Sequence, residues 1–216
     1  MIHDVARKRS TRGALRHWPL AAAVLLASFA PAAQPKSANP AEELRVYAAI
    51  VAAATTGQPS SWILIESHTA TFECDPPAPI GLDVGGCTGM RVAPETAAER
   101  LGTVANDLPQ ASKEMLAEIR HQNQASHEIV GPIPTTRTYV LWSPKSSGFP
   151  DTVKGNPELA LYFSRVAFSA DGSKALVYMG TMNWTDNTKS MGQYVLLRIE
   201  GAEWRIAGHS LVWGLH

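Results

Sequence analysis

FSRVAFSADGSKALVYMG, residues 163 to 180, and QYVLLRIEGAEWRIAGHSLVW, residues 193 to 213, decide the fold. Each holds two apolar runs around a turn signal, Asp171-Gly172 in the first and Gly201-Ala202 in the second. Together they read as an antiparallel β-meander of four passes. A two-residue turn at Asp171-Gly172 sets Phe168 opposite Ala175 and gathers Val166, Phe168, Ala175 and Val177 on one face, whereas a three-residue loop with Gly172 in the left-handed region would slip the register by one and swap the faces. At the second turn Ile199 falls opposite Trp204 and Leu197 opposite Ile206, which makes an apolar core face. The other face carries Arg198 against Arg205, flanked by Glu200 and Glu203, with Tyr194 against His209 farther along. Arg198, Arg205, Tyr194 and His209 are thus one candidate binding constellation, able to hold an anionic group; its plainer reading is a charge-laced solvent face.

Upstream, Asn39 reads as a helix cap, with Pro40 in the first turn and Glu42 and Glu43 at the positive end of the dipole. That helix runs to about Ala54 and turns Leu44, Tyr47, Ala48 and Val51 inward. WILIESHTATF, residues 62 to 72, reads as a strand, residues 96 to 104 as a weaker helix, and residues 112 to 123 as a helix capped by Ser112. TRTYVLWS, residues 136 to 143, is a further strand, and residues 158 to 163 read as a short helical turn. The prediction is one α+β domain: two helices packed on one face of a curved, largely antiparallel sheet that ends in the four-strand meander.

A chain of 216 residues, 45% hydrophobic and 18% charged, suits a single globular core. Its 19 basic and 19 acidic residues are unevenly spread, because Arg7, Lys8, Arg9, Arg12 and Arg16 stand against Asp4 alone in the first 32. The remainder holds 14 basic and 18 acidic residues, a mildly acidic balance that argues against nucleic acid as a partner. The basic stretch is followed by WPLAAAVLLASFA, residues 18 to 30, and by Ala30-Pro31-Ala32. This is the layout of a secretory signal peptide, with an apolar run too short to span a bilayer. The expected organisation is a signal over residues 1–32 and a single domain over residues 33–216, periplasmic or secreted, with no stable membrane span after processing. Cys74 and Cys87, the only cysteines, bracket a stretch containing PPAPIGLDVGG, residues 76 to 86. In an oxidising compartment they read as a disulfide that contributes roughly 3 kcal/mol by loop closure. Neither sits in a CxxC or beside a histidine, as a metal or nucleophilic role would require.

Complete catalytic motifs are missing. HEIVG, residues 127 to 131, opens like a zinc-protease signature but has Gly131 where the second histidine must stand. GHSLV, residues 208 to 212, opens like a nucleophile elbow but has Val212 in place of the glycine its tight turn needs, which leaves Ser210 structural. No metal and no cofactor is expected. The sharper candidate is Glu66 with His68: two residues apart in a strand, they share a face with Trp62 and Leu64, and a carboxylate beside an imidazole is what acid/base work uses. The same pair also serves as an ordinary ion pair at a strand end. Trp184, in the polar loop NWTDNTKS, is a candidate contact residue.

FSRVAFS, KALVY and YVLLRIEGAEWRI, preceded by the capped helix, resemble an uncharacterised family of small secreted or lipoprotein-type bacterial proteins over roughly residues 108 to 213. The resemblance implies export and this fold, and no reaction. The expected function is that of an exported, non-catalytic binding or interaction module of the cell envelope, its partner an unidentified ligand or envelope protein. The alternative is a hydrolase-like acid/base enzyme using Glu66 and His68.

Overall fold

The computed structural model describes residues 39–57, 62–70, 94–143, 157, 159–183 and 191–214, all within a unit spanning Ala33–His216. The signal segment, Cys74, Cys87 and Trp184 lie outside the described residues. Among those described, no helix is long and apolar enough to cross a membrane.

Helix α1, Pro40–Ala54, begins as its sequence dictates, with Asn39 in extended backbone and its Oδ1 accepting from Ala41 N at 3.1 Å. Its buried side is Glu43, Val46, Tyr47, Ile50 and Val51, with Leu44 and Ala48 at the margin. The stripe is rotated from the expected one because a carboxylate sits in the buried face, and a count of apolar positions steps over it.

The sheet is mixed rather than largely antiparallel. β1 (Ile63–Glu66) lies between β2 (Tyr139–Trp142) and β3 (Leu159–Phe163) and runs parallel to both. From β1 the chain reaches β2 through α2 (Pro94–Asp107) and α3 (Lys113–Gln122), the long crossover that a parallel pair requires. After β3 come β4 (Ala167–Phe168), β5 (Lys174–Asn183), β6 (Met191–Glu200) and β7 (Glu203–Gly214), in the sheet order β2-β1-β3-β5-β6-β7 with β4 also on β5. β3 corrects the expected helical turn: LALYF is a strand buried at all five positions. So short an apolar run carries no periodicity that separates strand from helix.

The described residues hold three helices rather than two, and they cover both faces. Ala175, Val177, Met179, Val195 and Leu197 pack with α1. Their alternating neighbours Leu176, Tyr178, Tyr194 and Leu196 pack with Val104 of α2 and with Met115 and Ile119 of α3. A central strand that is apolar at successive positions needs cover on both sides.

The meander is partly as expected. Phe168 does pair with Ala175, and Val166, Phe168, Ala175 and Val177 share the α1 face. The loop between them is longer than two residues: Gly172, at φ 71°, donates to Ser169 O, and Ser169 Oγ takes the Lys174 N–H instead. Ile199 pairs with Trp204 and Leu197 with Ile206 across the turn at Gly201 and Ala202. Only Leu197 and Trp204 are buried, while Ile199 and Ile206 are 40% and 42% exposed, so one member of each pair lies outside the core. Tyr194 pairs with Ser210, not His209, because the register slips by one between Leu196 and Leu197. Another irregularity separates β3 from β4. Phe163 pairs with Met179 and Ala167 with Leu176, which leaves one extra residue in the bulge over residues 164–166.

The β4–β5 loop supplies a pH test. Asp171 accepts from Ser169 Oγ at 2.6 Å, Ser173 N at 3.0 Å and Ser173 Oγ at 2.7 Å. These bonds, the Ser169 hydroxyl first, hold its carboxyl down from 3.8 to about 2. With the folded value below the unfolded one, the contribution is complete above the unfolded value, fades as pH falls below about 4, and is gone once the folded group is also protonated. Asp171→Asn is therefore expected to lower the urea midpoint at pH 6 and to lose most of that effect near pH 2. An equal loss at both would mean that the charge is not what stabilises the loop.

Candidate functional site

The bulge over residues 164–166 is where the layers meet. On its α1 side, Glu43 Oε1 accepts from Arg165 Nε at 2.9 Å, Val166 N at 3.0 Å and Tyr47 OH at 3.0 Å. The Tyr47 hydroxyl also lies 2.9 Å from Ser164 O. On its α3 side, the fully buried Asn123 closes the helix by donating from Nδ2 to Ile119 O at 2.7 Å and accepts Arg165 N on Oδ1 at 2.7 Å. Ser164 Oγ donates to Arg165 O and accepts Tyr178 N, each at 2.8 Å, so the extra residue costs the sheet no unpaired strand group at that point. One loop thus binds the helices of both faces to β5.

Burial first, then the charge and hydrogen bond of Glu43, push the Tyr47 phenol well above its usual value. A raised phenol keeps its proton in the folded chain where the unfolded chain has lost it. Stability from this source is complete below about pH 10 and declines as pH rises past it. Tyr47→Phe is expected to flatten the alkaline limb of the stability–pH curve. An unchanged limb would assign that limb to other tyrosines, such as Tyr194, whose phenol is also raised, chiefly by burial.

Beside this knot of hydrogen bonds around the bulge lies an open concavity of about 420 Å³. Its wall includes Glu118, His121 and Gln122 from the C-terminal half of α3, Gln124 and His127 from the loop that follows, and Arg165 from the bulge. Residues three and four apart share a helix side, which places Glu118, His121 and Gln122 together. His127 is fixed by its backbone: its N–H donates to Thr69 Oγ1 at 3.0 Å and its carbonyl accepts Thr69 N at 2.8 Å. Arg165 reaches the wall with its backbone bonded to Asn123 and its Nε to Glu43, while Nη1 and Nη2 make no hydrogen bond among the described residues. Gln122 Nε2 donates to Glu118 Oε1 at 2.5 Å. No three His, Cys, Asp or Glu side chains among the described residues come together as a metal would require.

The residues singled out from sequence lie elsewhere. Glu66, 4% exposed, ends β1 beside Trp62 and Leu64, which pack with Ala160 and Tyr162. β1 stops there instead of running to residue 72, so His68 follows in an irregular segment that bridges to Glu128. Its Nδ1 lies 3.0 Å from Ser67 Oγ. Arg198 and Arg205 do oppose each other, and each bonds the glutamate two residues along its own strand, Glu200 and Glu203. Tyr194 is buried beneath the other helical layer with its ring edge-on to Tyr178 at 5.6 Å, and His209, paired with Val195, is exposed on the α1 face. The slipped register therefore parts Tyr194 from His209. Ser210 is buried and donates to Asp107 Oδ2 at 2.6 Å, which ties α2 to β7.

Glu43, Asn123 and Arg165 were not flagged by sequence reasoning. Two signals were there to use: Glu43 sits four residues before Tyr47 on one helix side, and Arg165 interrupts two apolar runs. Set against known proteins, the chain matches no family model, no curated protein and no solved structure.

Proposed function

We propose that the chain is an exported binding module of the cell envelope, periplasmic or secreted, that acts without catalysis and takes its ligand in the groove at the end of α3. The observation that carries this reading is the anchored Arg165 guanidinium, held through its backbone and Nε and offering two further nitrogens to an open concavity. A side chain already fixed in place loses little freedom when a ligand arrives. In the same reading residues 1–32 are removed on export, and Cys74 and Cys87 form a disulfide once outside the cytoplasm. The likeness to small exported bacterial proteins favours that location.

A thermal-shift screen on the purified chain tests it. A ligand at a hundredfold excess over its Kd adds about 2.7 kcal/mol, which for a chain of this size is a rise of roughly 5–10 °C. Hits whose effect disappears in the variant carrying both His121→Ala and His127→Ala support the groove; hits indifferent to that variant contradict it.

A second reading, the acid/base enzyme using Glu66 and His68, draws on the Ser67 hydroxyl 3.0 Å from His68 Nδ1 and on the burial of Glu66. Ester or amide turnover abolished by His68→Ala would select it over the binding module.

A further inference from the structure

Resting on the reading of the groove as the ligand site, the chemistry of its wall narrows what the ligand is. The Arg165 fork, with Nε occupied by Glu43 and both Nη groups unused by the described residues, can give two parallel N–H bonds to one oxyanion. Glu43 already balances the charge of Arg165. The same wall carries a second carboxylate, Glu118, whose Oε1 accepts from Gln122 and whose Oε2 makes no hydrogen bond among the described residues. The groove also lies at the C-terminal end of α3, where the carbonyl ends carry partial negative charge. A dianion such as phosphate meets repulsion from Glu118 and the helix end. A ligand with one carboxylate and one ammonium meets an opposite charge at both ends. The volume of about 420 Å³ lies toward the small end of ligand pockets and suits a molecule of amino-acid or dipeptide size.

We infer that the groove binds a small zwitterion, an amino acid or short peptide, with its carboxylate on Arg165 Nη1 and Nη2 and its ammonium toward Glu118. Isothermal titration of the purified chain with glycine, alanyl-alanine, propionate, propylamine and inorganic phosphate tests this. The zwitterions are expected to bind at least ~10-fold more tightly than propionate, propylamine or phosphate. Arg165→Lys keeps a positive charge beside Glu43 but loses the fork, and is expected to weaken zwitterion binding by about 10–100-fold. Glu118→Gln, on a partly exposed helix turn, keeps the fold and is expected to weaken the zwitterions about 10-fold while leaving propionate unchanged. Phosphate binding tighter than any zwitterion, or Glu118→Gln without effect, would overturn the inference. If a probe other than a zwitterion binds best and His121→Ala abolishes it, the groove stands and the zwitterion falls. If every probe that binds ignores both His121→Ala and Arg165→Lys, both fall.

Discussion

Glu43→Ala is expected to lower stability by about 3 kcal/mol, the low end for removing one partner of a buried ion pair, which corresponds to roughly 6–12 °C in Tm for a chain of this length. A single oxygen of this carboxylate, 10% exposed at the side chain, serves Arg165, Val166 and Tyr47. Its removal leaves the Val166 N–H without its acceptor, the Arg165 guanidinium without its counter-charge, and a void between α1 and the sheet. Glu43→Gln keeps an acceptor and the volume and loses only the charge, so its cost should be nearer 1 kcal/mol. Urea melts with an unchanged m-value measure both. An alanine variant within 1 kcal/mol of the parent chain would show that the knot does not hold the layers.

The second large effect falls on β3. Phe163 is fully buried, and its ring stacks on Tyr47 at a centroid separation of 4.6 Å and an angle of 18°. Phe163→Ala is expected to cost about 3–5 kcal/mol, because the site is walled by α1 and neighbouring strands and cannot easily collapse. Ile206→Ala, at a position 42% exposed on the hairpin, should cost less than about 1 kcal/mol. The contrast separates a central strand from the short helical turn that the sequence suggested: on an exposed turn, the two substitutions would cost about the same.

What could be read from the chain follows from how local each signal is. Asn39 before Pro40 and Ser112 before Lys113 mark helix starts within a few residues, and both caps are present. The pairing of Ile199 with Trp204 follows from a tight turn next to it and was recovered. Five residues farther along, Tyr194 was misplaced, since a bulge is one uncounted residue, here Ala207, and nothing in its neighbours Ile206 and Gly208 announces it. The parallel strands were missed for a different reason. Ile63–Glu66 and Leu159–Phe163 are short apolar runs nearly a hundred positions apart, and the parallel partnership of β1 with β2 and β3 depends on a helical crossover rather than on any turn. The candidate site suffers from the same distance: Glu43, Asn123 and Arg165 each look ordinary, and their chemistry exists only once three elements converge on one bulge. Glu66 and His68 looked promising because they were close in sequence, but the strand that would have kept their faces aligned ends between them.

The chain has seven histidines, and they separate the possible sites: His121 and His127 line the groove, His68 follows β1, and His209 lies on the last hairpin. Proton NMR of the imidazole signals during titration with the tightest-binding ligand is the most direct measurement. The binding-groove account predicts that the His121 and His127 signals move with a common Kd while those of His68 and His209 stay in place. Movement confined to His68 or to His209, with the groove histidines still, would contradict it.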